Sequence, residues 1–594
     1  MSYKSIPHLF FEACERYQKT EAVLVKTDGH YSPYSHRFFA QRVKTFGRGL
    51  MAMGLKPKQH FAILSETRFD WAVADLGILS AGGVSVPIYD TLTPKEIRYI
   101  LHDSESVGVI VSNMDQFEKV QSIKADLPQL IHVIVMDPAE SLGDAKSMKA
   151  VEILGSDTDN EAALEARIEA IDRQQLMTLI YTSGTTGDPK GVMLSHHNLL
   201  SNIEGVIDAV PYTEADIHLA HLPLSHVLER MSGFYLMICA GVTIAYAESM
   251  ATIRDNLLEV RPTVMVSVPR LFEKIYAGIH DAVKSGSFIK RTMFKWATSV
   301  ARDAVPYFVA GKPLPGLLAT KYKMADKAVF AKVRDRTGGR LRYLISGGAP
   351  LSKEIGEFFL GIGIKILEGY GLTETSPVLC VNRPDKNKPG TVGPAIPNVE
   401  IKFADDGEIL AKGPNVMMGY YNNPKATAES IVDGWFHTGD IGVMDDDGFV
   451  RITDRKKEII VTSGGKNIAP QPIENALKLS PLIENAILIG DRRNYVTALI
   501  VPPWETVAQW APQHQWPTDP LTLCAHAGFR KAITDEIAFR LKDFARYEKV
   551  KKFEILPDPL SVINGELTPS LKIRRKIINQ RYAQTIEQLY AESE

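Results

Sequence analysis

A loop rich in glycine and hydroxyl side chains follows a short apolar segment in the first third of the chain. Leu179, Ile180 and Tyr181 precede the sequence Thr-Ser-Gly-Thr-Thr-Gly-Asp-Pro-Lys-Gly, which occupies residues 182–191. Such a pattern is typical of a buried strand that ends at a phosphate site. Glycines admit backbone N–H groups close to an anion, hydroxyls add uncharged donors, and Lys190 adds a positive charge. The residues predicted to contact phosphate are Thr182, Ser183, Gly184, Thr185, Thr186, Gly187 and Lys190.

The spacing within this loop excludes a Walker-type P-loop. A Walker loop places four residues between its glycines and follows its lysine with Ser or Thr. Here only two threonines separate the glycines at 184 and 187, and a glycine follows Lys190. The segment is therefore a phosphate loop of another type or a flexible polar linker. The density of donors after a strand favours the phosphate loop.

Further glycine-containing turns follow two predicted strands later in the chain. Residues 346–351 read Ser-Gly-Gly-Ala-Pro-Leu and include Gly348, and residues 368–375 read Glu-Gly-Tyr-Gly-Leu-Thr-Glu-Thr and include Gly371. We expect the preceding strands to end at these turns. Strands of one sheet that end in such turns form a common ligand-binding edge. The sequence therefore predicts a nucleotide site at the edge that also holds the first loop.

Side chains in and after the last of these turns suit the parts of a nucleotide. Tyr370 offers a ring that can stack on a purine, and Thr373 offers a hydroxyl donor for the α-phosphate. Glu374 offers an oxygen ligand for Mg²⁺, which typically binds one or two carboxylates together with nucleotide phosphates. Asp440 follows Thr-Gly and is suited to accept hydrogen bonds from two ribose hydroxyls, although a turn aspartate is the structural alternative.

These motifs, in this order, resemble those of the AMP-binding, adenylate-forming enzymes, which include acyl-CoA synthetases, luciferases and peptide-synthetase adenylation domains. The resemblance covers most of the chain. It implies that Glu374 and Thr182 contact magnesium, that Gly348 and Tyr370 bind the adenine, and that Asp440 binds the ribose. It also implies ATP, Mg²⁺ and coenzyme A as cofactors or co-substrates.

The same resemblance implies roles that the local patterns leave open. In the charged segment 451–460, which otherwise indicates a solvated face, Arg455 would contact the ribose and Lys457 would be the hinge. Near the C-terminus Lys572 would be the catalytic lysine, although Leu571 replaces the glycine that often precedes it. Pro223 indicates a strand end, which would leave His226 and Glu229 in a turn. His226, in Pro-Leu-Ser-His, would lie beside the carboxylate-binding pocket, whereas a lone histidine is more often structural. Arg270 would either contact substrate or have a structural role.

Composition and charge restrict the class of protein. A chain of 594 residues exceeds one ordinary core and predicts more than one domain. A net charge of −2 argues against nucleic-acid binding. The four cysteines form no CxxC pair, which argues against a disulfide scaffold or a zinc site and suits a reducing cytosol. The N-terminus has no apolar signal segment, and we read the apolar residues 234–247 as buried core.

Alternating strand and helix patterns predict an α/β fold. Residues 1–453 are expected to form a large N-terminal domain of α/β subdomains with a small β-rich subdomain, and residues 454–594 a small mobile α+β domain. The predicted elements include helices at 35–53, 71–80, 195–206, 474–479 and 530–546, strands at 61–64, 107–111, 132–136, 264–268, 342–345, 364–367, 486–489 and 496–501, and a hairpin at 400–411.

Residues 284–342 carry fourteen basic residues and three acidic residues, interleaved with aromatic residues. Basic charge beside exposed aromatic rings is typical of an interfacial membrane segment, but a solvated helical hairpin fits the pattern equally well. The segment resembles an insertion in long-chain acyl-CoA synthetases. The implied activity is therefore ATP-dependent formation of long-chain acyl-CoA through an acyl-adenylate. Alternatives are another carboxylic acid or acceptor such as acyl carrier protein, a non-catalytic nucleotide-binding protein, or a membrane scaffold.

Overall fold

A mixed β-sheet holds the residues on both sides of the predicted phosphate loop. The computed structural model of the chain describes residues 3–138, 142–182, 188–568 and 572–591. The loop residues at 183–187 lie outside these ranges. Thr182 and Lys190 are paired in register on adjacent antiparallel strands, so both lie at the same edge. The strands follow the spatial order Gly419–Tyr420, Lys190–Ser195, Leu176–Thr182, Val84–Ile88, His60–Leu64, Gly108–Val111, His132–Val135 and Lys146–Ser147.

A second mixed sheet supplies the other predicted glycine-containing turns. Its central strands are parallel. One strand differs from the prediction, because Lys365–Gly371 continues through the motif that was expected to be a turn and pairs antiparallel with Val378–Val381. Gly369 is paired with Val381 and Tyr370 with Cys380, so the strand continues past Leu367. The spatial order is Val378–Val381, Lys365–Gly371, Tyr343–Ser346, Val264–Ser267, Ile217–Ala220, Thr243–Tyr246, Val23–Thr27 and His30–Tyr34.

Helices fill the space between these sheets and cover their outer faces. Phe69–Ser80 and His196–Ala209 contribute to a buried cluster that includes residues of both sheets. Phe69–Ser80 is buried on every side, as its mostly apolar sequence predicts. The remaining α-helices among the described N-terminal residues are Ile6–Tyr17, His36–Ala52, Pro94–Asp103, Met114–Gln121, Met148–Asp157, Glu161–Glu169, Leu236–Cys239, Ile253–Val260, Pro269–Lys284, Phe288–Val309, Gly316–Ala325, Ala331–Asp335, Lys353–Gly361 and Pro424–Ser430.

An antiparallel β-subdomain follows the second sheet, and a smaller α+β region follows it. The predicted hairpin at 400–411 is confirmed as Glu400–Phe403 and Glu408–Lys412, which share a sheet with Ile431–Val432, Trp435–Met444 and Val450–Arg455. The C-terminal strands are Ile460–Val461, Asn467–Ile468, Asn485–Ile489, Thr497–Val501 and Lys552–Ile555. The C-terminal helices are Pro470–Lys478, Trp504–Trp510, Pro520–Ala525, Ala527–Arg540, Arg575–Arg581 and Ala583–Ala591.

The α/β class is confirmed, whereas two further local predictions are wrong. The helix predicted at 530–546 ends at Arg540, since Leu541 leaves the helical conformation and the Glu548 side chain accepts from the Ala545 N–H in a turn instead. Glu229, expected in a turn, begins the buried π-helical segment Glu229–Tyr235. The helices of the described residues include none that is long and apolar enough to cross a membrane.

Candidate active site

A cleft of about 3370 Å³ lies between the N-terminal sheets and the C-terminal region. Strand ends of both sheets contribute to it, since Thr182 ends a strand of one sheet, Gly371 ends a strand of the other, and both line the cleft. The prediction that all three loops share one sheet edge is therefore wrong, because two sheets meet at the cleft. The cleft is lined by every candidate residue that the structure describes, from both parts of the chain: Thr182, Lys190, His226, Gly348, Tyr370, Gly371, Thr373, Glu374, Asp440, Arg455, Lys457 and Lys572. The other candidates, Ser183, Gly184, Thr185, Thr186 and Gly187, lie outside the described residues.

Asp440 forms a hydrogen-bonded group with two other candidate residues. It pairs in register with Arg455 on the adjacent strand, and its Oδ1 lies 3.1 Å from the Arg455 Nε. The hydroxyl of Tyr370 donates to Asp440 Oδ2 at 2.7 Å. Burial raises the pKa of Asp440, while Arg455 and Tyr370 act in the opposite direction. A carboxylate accepts about four hydrogen bonds, so Asp440 has further acceptor capacity for ribose hydroxyls.

Glu374 is held near Lys190, the lysine of the predicted phosphate loop, by a residue that the sequence did not single out. Glu374 lies in the short 3₁₀ turn Thr373–Thr375. The hydroxyl of Tyr420 donates to Glu374 Oε1 at 2.9 Å, and the Lys190 Nζ lies 4.9 Å from the centre of the Tyr420 ring. Tyr420 follows Gly419 in a two-residue strand, which is too short for any periodic pattern to reveal.

Lys572 enters the cleft from the C-terminal region. The Lys572 N–H donates to Thr568 Oγ1 at 3.0 Å, and the Thr568 N–H donates to the Lys572 carbonyl at 2.8 Å. The side chain keeps access to solvent. The surrounding cleft nevertheless desolvates the ammonium, and together with Arg455 it lowers the pKa of Lys572 to about 8, although Asp440 and Glu374 attract its charge.

His226 lies half-buried in a turn that borders the cleft, as its sequence predicts. Its Nδ1 is 3.1 Å from the Leu228 N–H and accepts from it. Burial, followed by the charge of Lys572, lowers the pKa of His226 to about 3. The imidazole is therefore neutral near pH 7, and the bond to Nδ1 places the remaining proton on Nε2, which can donate to an oxygen atom.

Buried ion pairs below the cleft hold the segment that follows His226. The Arg230 guanidinium forms an ion pair with Asp75 and donates to Thr178 Oγ1 at 2.7 Å, and the hydroxyl of Tyr235 donates to Asp75. Arg230 and Asp75 are 1% and 0% exposed, so neither charge is solvated. The available sequence signal for this pair was an aspartate inside the apolar segment Phe69–Ser80 and an arginine shortly before the apolar residues 234–247.

The predicted hinge residue Lys457 lies between neighbours that contact different parts of the chain. Lys457 itself is exposed in the turn after Val450–Arg455. Lys456 Nζ lies 2.9 Å from Glu408 Oε2 in the antiparallel subdomain. Glu458 Oε2 lies 3.3 Å from Arg575 Nε in the C-terminal region. The two neighbours of Lys457 therefore form ion pairs with different parts of the chain.

Arg270 contacts the C-terminal region directly. Its guanidinium forms an ion pair with Glu484 and lies 3.7 Å from Glu273 on its own helix. On the same helix Lys284 Nζ lies 5.8 Å from the ring centre of Trp510. Arg270 also lines the cleft. The ion pair favours a structural role for Arg270, which holds the two regions together in this arrangement.

The donor set of the cleft fits a magnesium ion that binds together with phosphates. Within the described ranges, no cluster of three or more His, Cys, Asp or Glu side chains could hold a metal ion by itself. The Glu374 carboxylate and the Thr182 hydroxyl line the same cleft. Mg²⁺ is commonly bound by one or two carboxylates, several waters and substrate phosphates. These residues therefore suit a metal that arrives with a nucleotide.

Comparisons with known proteins place this geometry in a family. Residues 10–421 match the model described as AMP-binding enzyme, and residues 457–594 match the AMP-binding enzyme C-terminal domain. The chain is 36% identical to long-chain-fatty-acid–CoA ligase FadD15 of Mycobacterium bovis, over 95% of this chain and 93% of that one. It is 32% identical to long-chain-fatty-acid–CoA ligase ACSBG1 of Homo sapiens, over 99% of this chain and 85% of that one.

Solved structures share the fold. The adenylation domain of the carboxylic acid reductase from Segniliparus rugosus, in complex with AMP and a co-purified carboxylic acid, has a TM-score of 0.78 at 20% identity, covering 99% of this chain and 94% of that one. The anthranilate CoA ligase AuaEII, in complex with anthranoyl-AMP, has a TM-score of 0.71 at 19% identity, covering 98% and 97%. With the family model matching most of its length, the chain belongs to the AMP-binding enzyme family.

Proposed function

We propose that this chain is a long-chain fatty-acid–CoA ligase that forms an acyl-adenylate from ATP and then an acyl-CoA, releasing pyrophosphate and AMP. The observation that carries the proposal is the convergence of Lys572, Asp440 and Glu374 in one cleft, although they lie far apart in the chain. The names of curated relatives that match nearly the whole chain support the acyl-CoA product and the long-chain substrate.

In the first half-reaction the fatty carboxylate attacks the α-phosphorus of ATP, a new P–O bond forms, and the bond to pyrophosphate breaks. Negative charge increases on the phosphoryl oxygens, and donors positioned in advance stabilise it most effectively. Lys572, Thr373 and Lys190 would supply these donors, together with the loop residues 183–187. Asp440, Tyr370 and Arg455 would hold the nucleoside. The neutral His226 would donate from Nε2 to the carboxylate or its adenylate.

Magnesium would be held by Glu374, with Thr182 as an additional contact, and by nucleotide phosphates. When bound, it would neutralise phosphate charge and orient the pyrophosphate leaving group. This chain would supply one carboxylate, that of Glu374, at the edge of the cleft, and not a full set of protein ligands for the metal. Tyr420 holds that carboxylate through its hydroxyl.

In the second half-reaction the CoA thiol attacks the acyl-adenylate carbonyl, and AMP leaves. The face of the small domain that brings Lys572 into the cleft cannot at the same time line a channel for the CoA thiol. We propose that residues 454–594 rotate as a domain about Lys457, and that this rotation exposes the turn at 463–467 to the cleft. Lys456 forms an ion pair with the antiparallel subdomain and Glu458 forms one with the C-terminal region, which supports residue 457 as the pivot.

The test is AMP release by the full-length protein with ATP, Mg²⁺, CoA and a series of fatty acids of increasing chain length. The proposal expects release that needs both CoA and a long-chain acid. Release that needs acyl carrier protein instead of CoA, or a short or aromatic acid, would favour the alternative adenylate-forming ligase. The absence of release with every acid and acceptor would favour a binding protein.

We also propose a cytoplasmic location with peripheral membrane contact through residues 284–342. The four cysteines are free and buried, which suits a reducing compartment. At the start of Phe288–Val309, Phe288 and Ile289 are 75% and 69% exposed, and Leu317 at the next helix is 73% exposed. Neighbouring lysines and arginines would attract anionic lipids.

Flotation with vesicles of zwitterionic or anionic lipid tests this contact. We expect the protein to float with anionic vesicles, and the double substitution F288S/I289S to reduce the bound fraction several-fold without loss of AMP formation on dissolved substrate. Equal flotation of the substituted protein would contradict the proposal. It would leave a solvated helical hairpin as the explanation of this segment.

A further inference from the structure

Tyr420 lies between two charged side chains of the cleft that come from distant parts of the chain. Its hydroxyl donates to Glu374 Oε1 at 2.9 Å. The Lys190 Nζ lies 4.9 Å from the ring centre, within the range of a cation–π contact. The residue is 8% exposed and lines the cleft. One side chain therefore contacts both the predicted metal ligand and the predicted phosphate-binding lysine.

The backbone around Tyr420 restricts its position from both sides. It is paired in register with Val192, in the strand that begins at Lys190. Its N–H donates to Thr427 Oγ1 at 2.9 Å. Gly419 adopts a φ of 141°, and a Cβ at that residue would lie 2.8 Å from the Thr427 side chain. The ring is therefore placed by the sheet and the helix that follows it.

Contacts of the Glu374 turn run to the same segment. The Met417 N–H donates to the Glu374 carbonyl at 2.8 Å. Met417 lies three residues before Tyr420, so one short segment contacts both the backbone and the carboxylate of Glu374. A glutamate side chain otherwise loses rotational freedom only when it binds its ligand. A carboxylate already oriented by a hydrogen bond binds a metal ion with a smaller entropic cost.

We propose that Tyr420 is a positioning residue that orients Glu374 for magnesium through its hydroxyl and Lys190 for phosphate through its ring. The inference rests on the proposed function for the identity of the ligand, MgATP. It assigns two separable effects to one residue. Loss of the hydroxyl weakens binding of the metal only, whereas loss of the ring weakens binding of ATP without metal as well.

The variants Tyr420→Phe and Tyr420→Leu separate these effects. The hydrogen bond to a carboxylate is lost in both, but the ring is kept in the first. Tyr421→Phe is the matched control, because the Tyr421 hydroxyl also donates to a carboxylate, Glu105 at 3.2 Å, on the surface and outside the cleft. Thermal unfolding of each variant establishes that it is folded before binding is measured.

The measurement is Mn²⁺ affinity of the protein–ATP complex by electron paramagnetic resonance, with ATP affinity in EDTA measured by calorimetry. For Tyr420→Phe we expect an increase of about tenfold in the Kd for Mn²⁺ and an unchanged Kd for free ATP. Tyr420→Leu is expected to raise both. In a Glu374→Gln background, Tyr420→Phe should cause no further loss, since its effect acts through the carboxylate.

An unchanged Mn²⁺ affinity in Tyr420→Phe would overturn the proposal, and so would equal losses with and without metal. A full additional loss in the Glu374→Gln background would also overturn it, because the tyrosine would then act independently of that carboxylate. Failure of the proposed function is seen separately, as the absence of acid-dependent AMP release by the unsubstituted protein. The binding measurements test Tyr420 in either case.

Discussion

The protonation state of Lys572 should set the upper pH limit of the adenylation half-reaction. The ammonium is the form that can stabilise phosphoryl charge, and desolvation together with Arg455 lowers its pKa to about 8 in the free protein. With that pKa, the protonated fraction falls from about 0.9 at pH 7 to about 0.1 at pH 9. The kcat/KM for ATP should therefore fall about tenfold over this interval, since kcat/KM reports groups of the free enzyme.

Bound ATP should shift this limit. Its phosphates favour the charged lysine, so the decline of kcat should occur at a higher pH than the decline of kcat/KM. The assay is fatty-acid-dependent exchange of pyrophosphate into ATP at constant ionic strength, between about pH 6.5 and 9.5. Exchange reports the first half-reaction alone and needs no CoA.

Substitutions of Lys572 test whether its deprotonation causes the decline in rate near pH 8. Lys572→Arg keeps its charge throughout this range, so the decline near pH 8 should disappear even if the rate is lower. Lys572→Met should lower the rate and also remove the decline, whereas Lys531→Met, at an exposed lysine paired with Asp535, should leave the profile unchanged. A decline near pH 8 that persists in Lys572→Arg and Lys572→Met would refute the reasoning, because another group would then be titrating.

Contacts below and beside the cleft give three further predictions. Asp440→Ala should raise the KM for ATP at least tenfold with little change in unfolding temperature, since it removes the acceptor proposed for the ribose; steady-state kinetics and calorimetry check it. Arg270→Ala should remove about 0.5–1 kcal/mol from the contact with Glu484, as is usual for partly exposed ion pairs. The ratio of the two proposed orientations of residues 454–594 should then change by a few-fold, as measured by fluorescence energy transfer; an unchanged ratio would contradict the prediction. Arg230→Met should lower the free energy of unfolding by about 3–5 kcal/mol in urea denaturation, because Asp75 would remain buried without its partner; a loss below about 1 kcal/mol would contradict it.

Much of the fold could be predicted from local pattern. The helix predicted at 35–53 is His36–Ala52 with Ser35 as its N-cap, and the helix predicted at 71–80 is Phe69–Ser80. Periodicity and capping act over a few residues, so the sequence carries them directly. The errors occurred where tertiary contacts decide. Residues 369–371 became strand because Val378–Val381 pairs with them, and Glu229 became helical within a buried segment.

The candidate site was predictable in its chemistry but not in its arrangement. Residue type and spacing within the glycine-containing turns were enough to indicate phosphate, ribose and magnesium contacts. The domain boundary at 453/454 and the individual residue roles stay predictions that the proposed experiments address. Tyr420 was missed because its importance depends on its position between Lys190 and Glu374, which no local spacing reveals.

The sequence by itself determined the chemical groups available to this protein, the order of its motifs and its α/β class, because residue type and short-range periodicity are properties of the chain. Only the tertiary structure decided which of these groups meet. It brought Lys572 to Asp440 and Glu374, paired Arg230 with Asp75, and set the pKa of Lys572 near 8. Electrostatic fields and desolvation depend on neighbours in space, and here those neighbours are residues more than a hundred positions apart.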